Sequence, residues 1–275
     1  MMNDEHQNID VPQLSISTSF DYGLPLDQQL RFISQERFSH VSFGSKQDHS
    51  SLLTPGGCKN IIRLLEENNL ESDTIHGDML VRPNAVETTI ELIDVASELG
   101  MNRIVAHGGP FCFHAEALQD HLKNLIDNCN ALSPILEDNG IRIALENVMP
   151  GPATTLVELA LAELDPAYFG LCYDSSHDQI DGPRSFDLLK RYVDRVFAVH
   201  ISDRIAPFID HVLPGEGFID WKKMCSTLRL VNYSEPVMLE VMMTHSKYRT
   251  TESFLKEAFI SAKETWISIH HDNYI

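Results

Sequence analysis

Eight short apolar, β-branched runs recur along this chain, and a stretch of helical period can be read after each. They are LSISTSF from Leu14, HVSFGS from His40, DTIHGDM from Asp73, RIVAHGG from Arg103, IRIALENV from Ile141, FGLCYDSSH from Phe169, VFAVHISD from Val196 and PVMLEVMM from Pro236. Strands that alternate with helices make parallel sheets with helical crossovers. Eight such units with short links favour a closed (β/α)8 barrel over an open doubly wound sheet, which would have two edges to protect. The 275 residues match the typical barrel of about 250. No Pro/Gly/Ser linker divides the chain, so the reading is a single domain over 1–275, with a polar extension at 1–12.

Local signals support the helices. Leu118, Leu122, Leu125, Ile126, Cys129 and Leu132 share one helical face, as do Leu255, Ala258, Phe259, Ala262 and Trp266. Thr54-Pro55 reads as an N-cap with proline at the first helical position, and Thr155 with Glu158 as a capping box; Asn84 with Glu87 is a looser one. Gly100 and Gly140 suit left-handed C-caps.

The formal charge of −19 counts against polyanion partners, and Lys and Arg form no basic stripe of the kind a nucleic-acid binder carries. No apolar run approaches the roughly 20 residues of a membrane span. The polar, acidic start is unlike a secretory signal, and five scattered cysteines without CxxC suit reduced thiols, so the expected location is the cytoplasm.

In such barrels reactive groups stand where each strand ends and its loop begins. Those positions hold His76, His107, Glu146, Asp174 with His177, His200 and Glu240, each in or just beyond an apolar run. An ionised carboxylate there is costly unless paired or metal-bound, and basic partners are scarce at these ends. The mixed oxygen and nitrogen set suits one divalent ion, Mn, Zn, Co or Mg, without choosing among them. Lys46, Arg82 and Arg204 are the cations near loops that could meet a phosphate, although each also reads as an ordinary loop charge.

ALEN at 144–147, YDSSH at 173–177, VHISD at 199–203, LPGEGFIDW at 213–221 and LEV at 239–241 resemble, as an ordered set, the xylose isomerase-like TIM barrel superfamily. That superfamily includes ketose 3-epimerases, inosose isomerases and dehydratases, and endonuclease IV. The resemblance implies a metal held by Glu146, Asp174, His200 and Glu240. It implies substrate contacts from His177 and His211, with Arg204 close to an arginine that the epimerases often carry. His76 and His107 look like further ligands of endonuclease IV, or line the pocket.

The implied activity is isomerisation or epimerisation of a small sugar, ketose or inosose, with Glu146 and Glu240 moving protons on opposite faces of the carbon beside the carbonyl. Three rival readings use the same fold: a dehydratase-like lyase, an endonuclease IV-like phosphodiester hydrolase, and a non-catalytic sugar-binding barrel. The charge disfavours the hydrolase, because phosphate contacts dominate nucleic-acid affinity. The expected partner is thus a small carbohydrate, with no nucleic acid and no membrane; assembly of the chain with itself is left open.

Overall fold

The computed structural model describes residues 12–231 and 233–271. The expected extension at 1–12 lies outside them, residue 12 excepted. Along the first half run β1 (Leu14–Ser17), α1 (Leu26–Gln35), β2 (His40–Phe43), α2 (Gln47–Ser50), α3 (Gly57–Asn68), β3 (Glu71–His76), α4 (Ala85–Glu98) and β4 (Arg103–His107). The second half continues with α5 (Leu118–Asn139), β5 (Arg142–Glu146), α6 (Pro152–Glu163), β6 (Phe169–Asp174), α7 (Ser175–Asp178), α8 (Asp187–Arg191), β7 (Val196–His200), α9 (Trp221–Val231), β8 (Val237–Leu239) and α10 (Thr251–His270).

Every strand is parallel to its neighbours, in the order β7-β6-β5-β4-β3-β2-β1-β8. The sheet closes on itself just beyond β7, where Ile201 bridges Leu239. The Ile201 N–H donates to the Met238 carbonyl at 2.9 Å and the Glu240 N–H to the Ile201 carbonyl at 3.1 Å. The chain is a (β/α)8 barrel, as its strand–helix alternation predicts.

Two apolar layers follow from the period of two along each strand. Ile16, Val41, Ile75, Ile104, Ile143, Leu171 and Val199 belong to the large cluster between strands and helices. Leu125, Cys129 and Leu132 of α5 and Leu255, Ala258, Ala262 and Trp266 of α10 join it from outside. Val105, Ala144, Cys172, Phe197 and Ala198 form a separate inner cluster. Four cysteines are buried and Cys112 is exposed, all of them free.

Beneath that plug the barrel base is ionic. Arg103 is 3% exposed and its guanidinium donates to the carboxylates of Asp73 and Glu235. Arg142 donates to Glu235 at 3.3 Å and lies over the Phe197 ring.

Two helix starts differ from expectation. Thr54 donates its hydroxyl to the Ser51 carbonyl at 2.7 Å, closing the preceding turn, and α3 begins only after Gly56 at φ +81°. Thr155 falls inside α6, because Gly151 at φ +108° and Pro152 start that helix three residues earlier. Asn84 precedes α4 without a side-chain cap bond, while Gly100 (φ +72°) and Gly140 (φ +64°) adopt the left-handed conformation expected of them. Among the described residues no helix is long and apolar enough to cross a membrane.

Candidate metal centre

The strands deliver one polar cluster to the barrel mouth. β5 ends in Glu146, β6 in Asp174, β7 in His200, and Glu240 follows β8 directly. One ligand atom from each lies within 4.8 Å of the others. His200 Nδ1 is 2.6 Å from Glu240 Oε2 and 3.5 Å from Glu146 Oε2. Side-chain exposure is 2% or less for Glu146, Asp174 and His200, and 14% for Glu240, which makes Glu240 the most open of the four.

Glu146 Oε1, Asp174 Oδ2 and His200 Nδ1 are buried and make no well-formed hydrogen bond, although His177 Nδ1 stands 3.1 Å from the first and Glu240 Oε2 2.6 Å from the third. Leaving such groups unsatisfied costs about 1–3 kcal/mol each, more when charged. Three of them converging from consecutive strands fit a shared cation, and the oxygen–nitrogen donor set suits a divalent ion.

The other oxygen of Asp174 is held by the protein. Asp174 caps α7: its Oδ1 accepts from the His177 N–H at 2.7 Å and from Ser176 Oγ at 3.0 Å, which leaves Oδ2 turned to the cluster. Asn147 grips the Asp174 backbone from both sides, accepting from its N–H at 2.8 Å and donating to its carbonyl at 3.0 Å.

The four histidines singled out in the sequence converge on the same carboxylates. His76 Nε2 is 2.9 Å and His107 Nε2 3.4 Å from Glu146 Oε2, and His177 Nδ1 is 3.1 Å from Glu146 Oε1. His211 Nε2 stands 3.7 Å from both Asp174 Oδ2 and Glu240 Oε2. His76 also has its Nδ1 2.9 Å from the Gly77 carbonyl. With an acceptor at each nitrogen its ring is best satisfied as an imidazolium.

Arg204 is a correction. Its side chain is fully buried, with donors committed to the carbonyls of Ser176 (2.7 Å), Ala206 (3.2 Å) and Pro207 (2.6 Å) and to Asp210 Oδ2 (2.8 Å). It braces the loop after β7 and has no free edge for substrate. Through Asp210, whose other oxygen is 3.3 Å from His211 Nδ1, that brace reaches the site.

Sequence reading also misses Asp203, whose carboxylate gathers the N–H groups of Gly215 (2.9 Å), Gly217 (3.0 Å) and Ile219 (3.1 Å) and the indole of Trp221 (2.8 Å). Gly215 is left-handed at φ +87°, and a Cβ on Gly217 would collide with the Arg204 carbonyl. The PGEG turn is therefore wound on a single buried acid. The only sequence signal was Asp203 itself, at the end of VHISD.

Electrostatics in the cluster are reciprocal. Burial alone would raise Glu146 and Glu240, but His200 and the other imidazoles hold both well below the ordinary carboxylate value of 4.5. Burial alone would lower His200 and His211; Cys172, Glu240 and Glu146 for the first, Asp210, Glu240 and Asp174 for the second, hold them well above 6.5. A raised histidine contributes stability that is complete below 6.5 and lost as pH rises through its folded value. The depressed carboxylates contribute above 4.5 and lose that contribution as pH falls through theirs. Protein stripped with a chelator is thus expected to melt at its highest temperature between pH 4.5 and 6.5 and at progressively lower temperatures on the alkaline side. Scanning fluorimetry across that range checks this; a melting temperature that keeps rising above pH 7 would contradict it.

A (β/α)8 barrel with a carboxylate–imidazole cluster at the carboxyl ends of β5 to β8 defines the class. The family model for the xylose isomerase-like TIM barrel matches residues 37–258, and the chain belongs to that family. An uncharacterized protein y4fM of Sinorhizobium fredii is 22% identical over 84% of this chain and 85% of its own length. An inosose dehydratase of Salmonella typhimurium is 28% identical, over 46% of this chain and only 49% of the dehydratase. Among solved structures, an IOLI protein with a bound zinc atom superposes with a TM-score of 0.73 at 18% identity, covering 94% of this chain and 97% of that one.

Proposed function

We propose that this barrel holds one divalent metal on Glu146, Asp174, His200 and Glu240 and catalyses isomerisation or epimerisation of a small polyhydroxylated carbonyl compound. The observation that carries the reading is the convergence of one atom each from Glu146, Asp174, His200 and Glu240 to within 4.8 Å of one another, with Asp174 Oδ2 buried and unpartnered among them. The zinc in the IOLI structure supports it. When bound, the metal supplies Lewis-acid polarisation of the substrate's carbonyl.

The chain's own residues then divide the work. Glu240, the open ligand, takes the proton from the carbon beside the carbonyl, and Glu146 serves the opposite face. His177 and His211 flank Asp174 and orient substrate hydroxyls; His76 and His107 do so beyond Glu146. A dehydratase outcome uses the same first proton loss followed by departure of a β-hydroxyl, and the inosose dehydratase among the relatives supports keeping it as the second reading. Counting the oxygens in the product separates the two.

The first test is metal content. Purified protein is expected to carry about one divalent ion per chain. Asp174→Asn keeps the N-cap acceptor but weakens the ligand, so affinity is expected to fall at least about tenfold, as much as losing a mere supporting partner costs, with circular dichroism unchanged. Elemental analysis showing full retention would remove Asp174 from the ligand set.

A further inference from the structure

A second compartment opens beside the metal cluster. It is a cavity of about 460 Å³ between the loops after β2 and β3 and the first turns of α4. Its inner wall is His76 and His107, the two imidazoles that touch Glu146 from the far side. None of the four proposed ligands lines it. Its volume is within the roughly 300–1,000 Å³ of small-molecule sites, so it is a room in its own right rather than a crevice.

The lining describes the occupant. Gln47, Asp78 and Arg82 provide polar atoms, whereas Leu53, Met79 and Leu92 provide apolar surface. A pyranose ring, with apolar faces and hydroxyls at its rim, matches such a mixture. Charge narrows it further. Arg82 is paired with Asp78 in an exposed bridge, and the His76 imidazolium in the inner wall is paired with Glu146 behind it, so each of these two cations is matched by a carboxylate. Lys46, the other cation nearby, lies over the Tyr22 ring at 4.5 Å and is not part of the lining. A cavity with self-cancelling charge, in a chain of net −19, favours a neutral polyhydroxylated group over a phosphate.

We infer that this compartment is a subsite for a glycosyl group, and that the substrate is a ketose bearing a second sugar rather than a free or phosphorylated monosaccharide. The inference rests on the proposed sugar chemistry of the neighbouring cluster. It places the reacting carbon at Glu240 and Glu146 and the appended ring past His107.

Calorimetric titration of the metal-loaded protein with D-fructose, fructose 6-phosphate, turanose and isomaltulose tests it. The two disaccharides append glucose at different oxygens, and at least one is expected to bind about tenfold more tightly than D-fructose, a difference calorimetry resolves easily. Thr88→Trp and Leu53→Trp fill the cavity from two separate walls. Either one that folds is expected to bring that disaccharide down to the affinity of D-fructose. Equal binding of all four sugars, tighter binding of fructose 6-phosphate, or an advantage that survives both filled variants overturns the subsite while leaving the proposed chemistry standing. Failure of every sugar to bind, in protein that retains its metal, overturns the chemistry and the subsite together.

Discussion

Glu240→Gln is expected to keep at least part of its metal and to lose epimerisation by about 10²–10⁴-fold, the usual contribution of a general base. The amide retains an oxygen ligand and the side-chain volume but cannot accept the proton. Glu240 is the ligand with 14% side-chain exposure, whereas Glu146 is at 1% and ringed by His76, His107, His177 and His200. Glu240 is therefore the more accessible of the two carboxylates to an arriving substrate. Exchange of the substrate's α-proton in D₂O, followed beside product formation, separates the two faces. Exchange that survives without epimerisation assigns the remaining transfer to Glu146. Loss of both, with metal retained, assigns the first proton removal to Glu240 in that direction. Undiminished epimerisation would end the two-carboxylate mechanism.

The second large effect lies at the opposite end of the barrel and concerns stability alone. Arg103→Met leaves the Asp73 carboxylate, 1% exposed, without its guanidinium. Removing one partner of a buried pair typically costs about 3–5 kcal/mol, because the remaining charge is stranded. Glu235→Gln is expected to cost much less, since that carboxylate is 27% exposed and water can take over part of its role. Urea unfolding of both variants measures the difference. Equal, small losses would mean that Asp73 is relieved by some other group. Metal binding is expected to be unaffected by either, with the inner apolar plug lying between the base and the mouth.

How much of this was readable beforehand depended on whether the physics was local. The strands were legible because burial on both faces writes a continuous apolar run, and the mouth residues because a polar side chain ending such a run is costly and so conspicuous. Arg103 and Asp73 gave no such signal. A charge at the start of a strand looks like any loop charge until the sheet closes and buries it. Arg204 is hard to read for the same reason. A lone arginine in a mouth loop reads as a substrate hook, and only the turn formed with Asp210 shows its donors already committed. The caps at Thr54 and Thr155 failed because glycines with positive φ nearby set the helix starts instead. That four histidines would share Glu146, Asp174 and Glu240 required the barrel's curvature, which no spacing along the chain encodes.

The join between β7 and β8 gives the cluster a second meaning. Elsewhere the strands are laced by ladders, but here, among the described residues, closure rests on one bridge, Ile201 to Leu239, with two backbone hydrogen bonds. Glu146, Asp174 and His200 stand on one side of that seam and Glu240 on the other. An ion held by all four would be a clasp as well as a reagent. The binding energy of such an ion would add to the native state by mass action, at this sparsely bonded seam. Opening of the seam and release of the ion would then be one event, so that wear of the fold and loss of activity share a single clock.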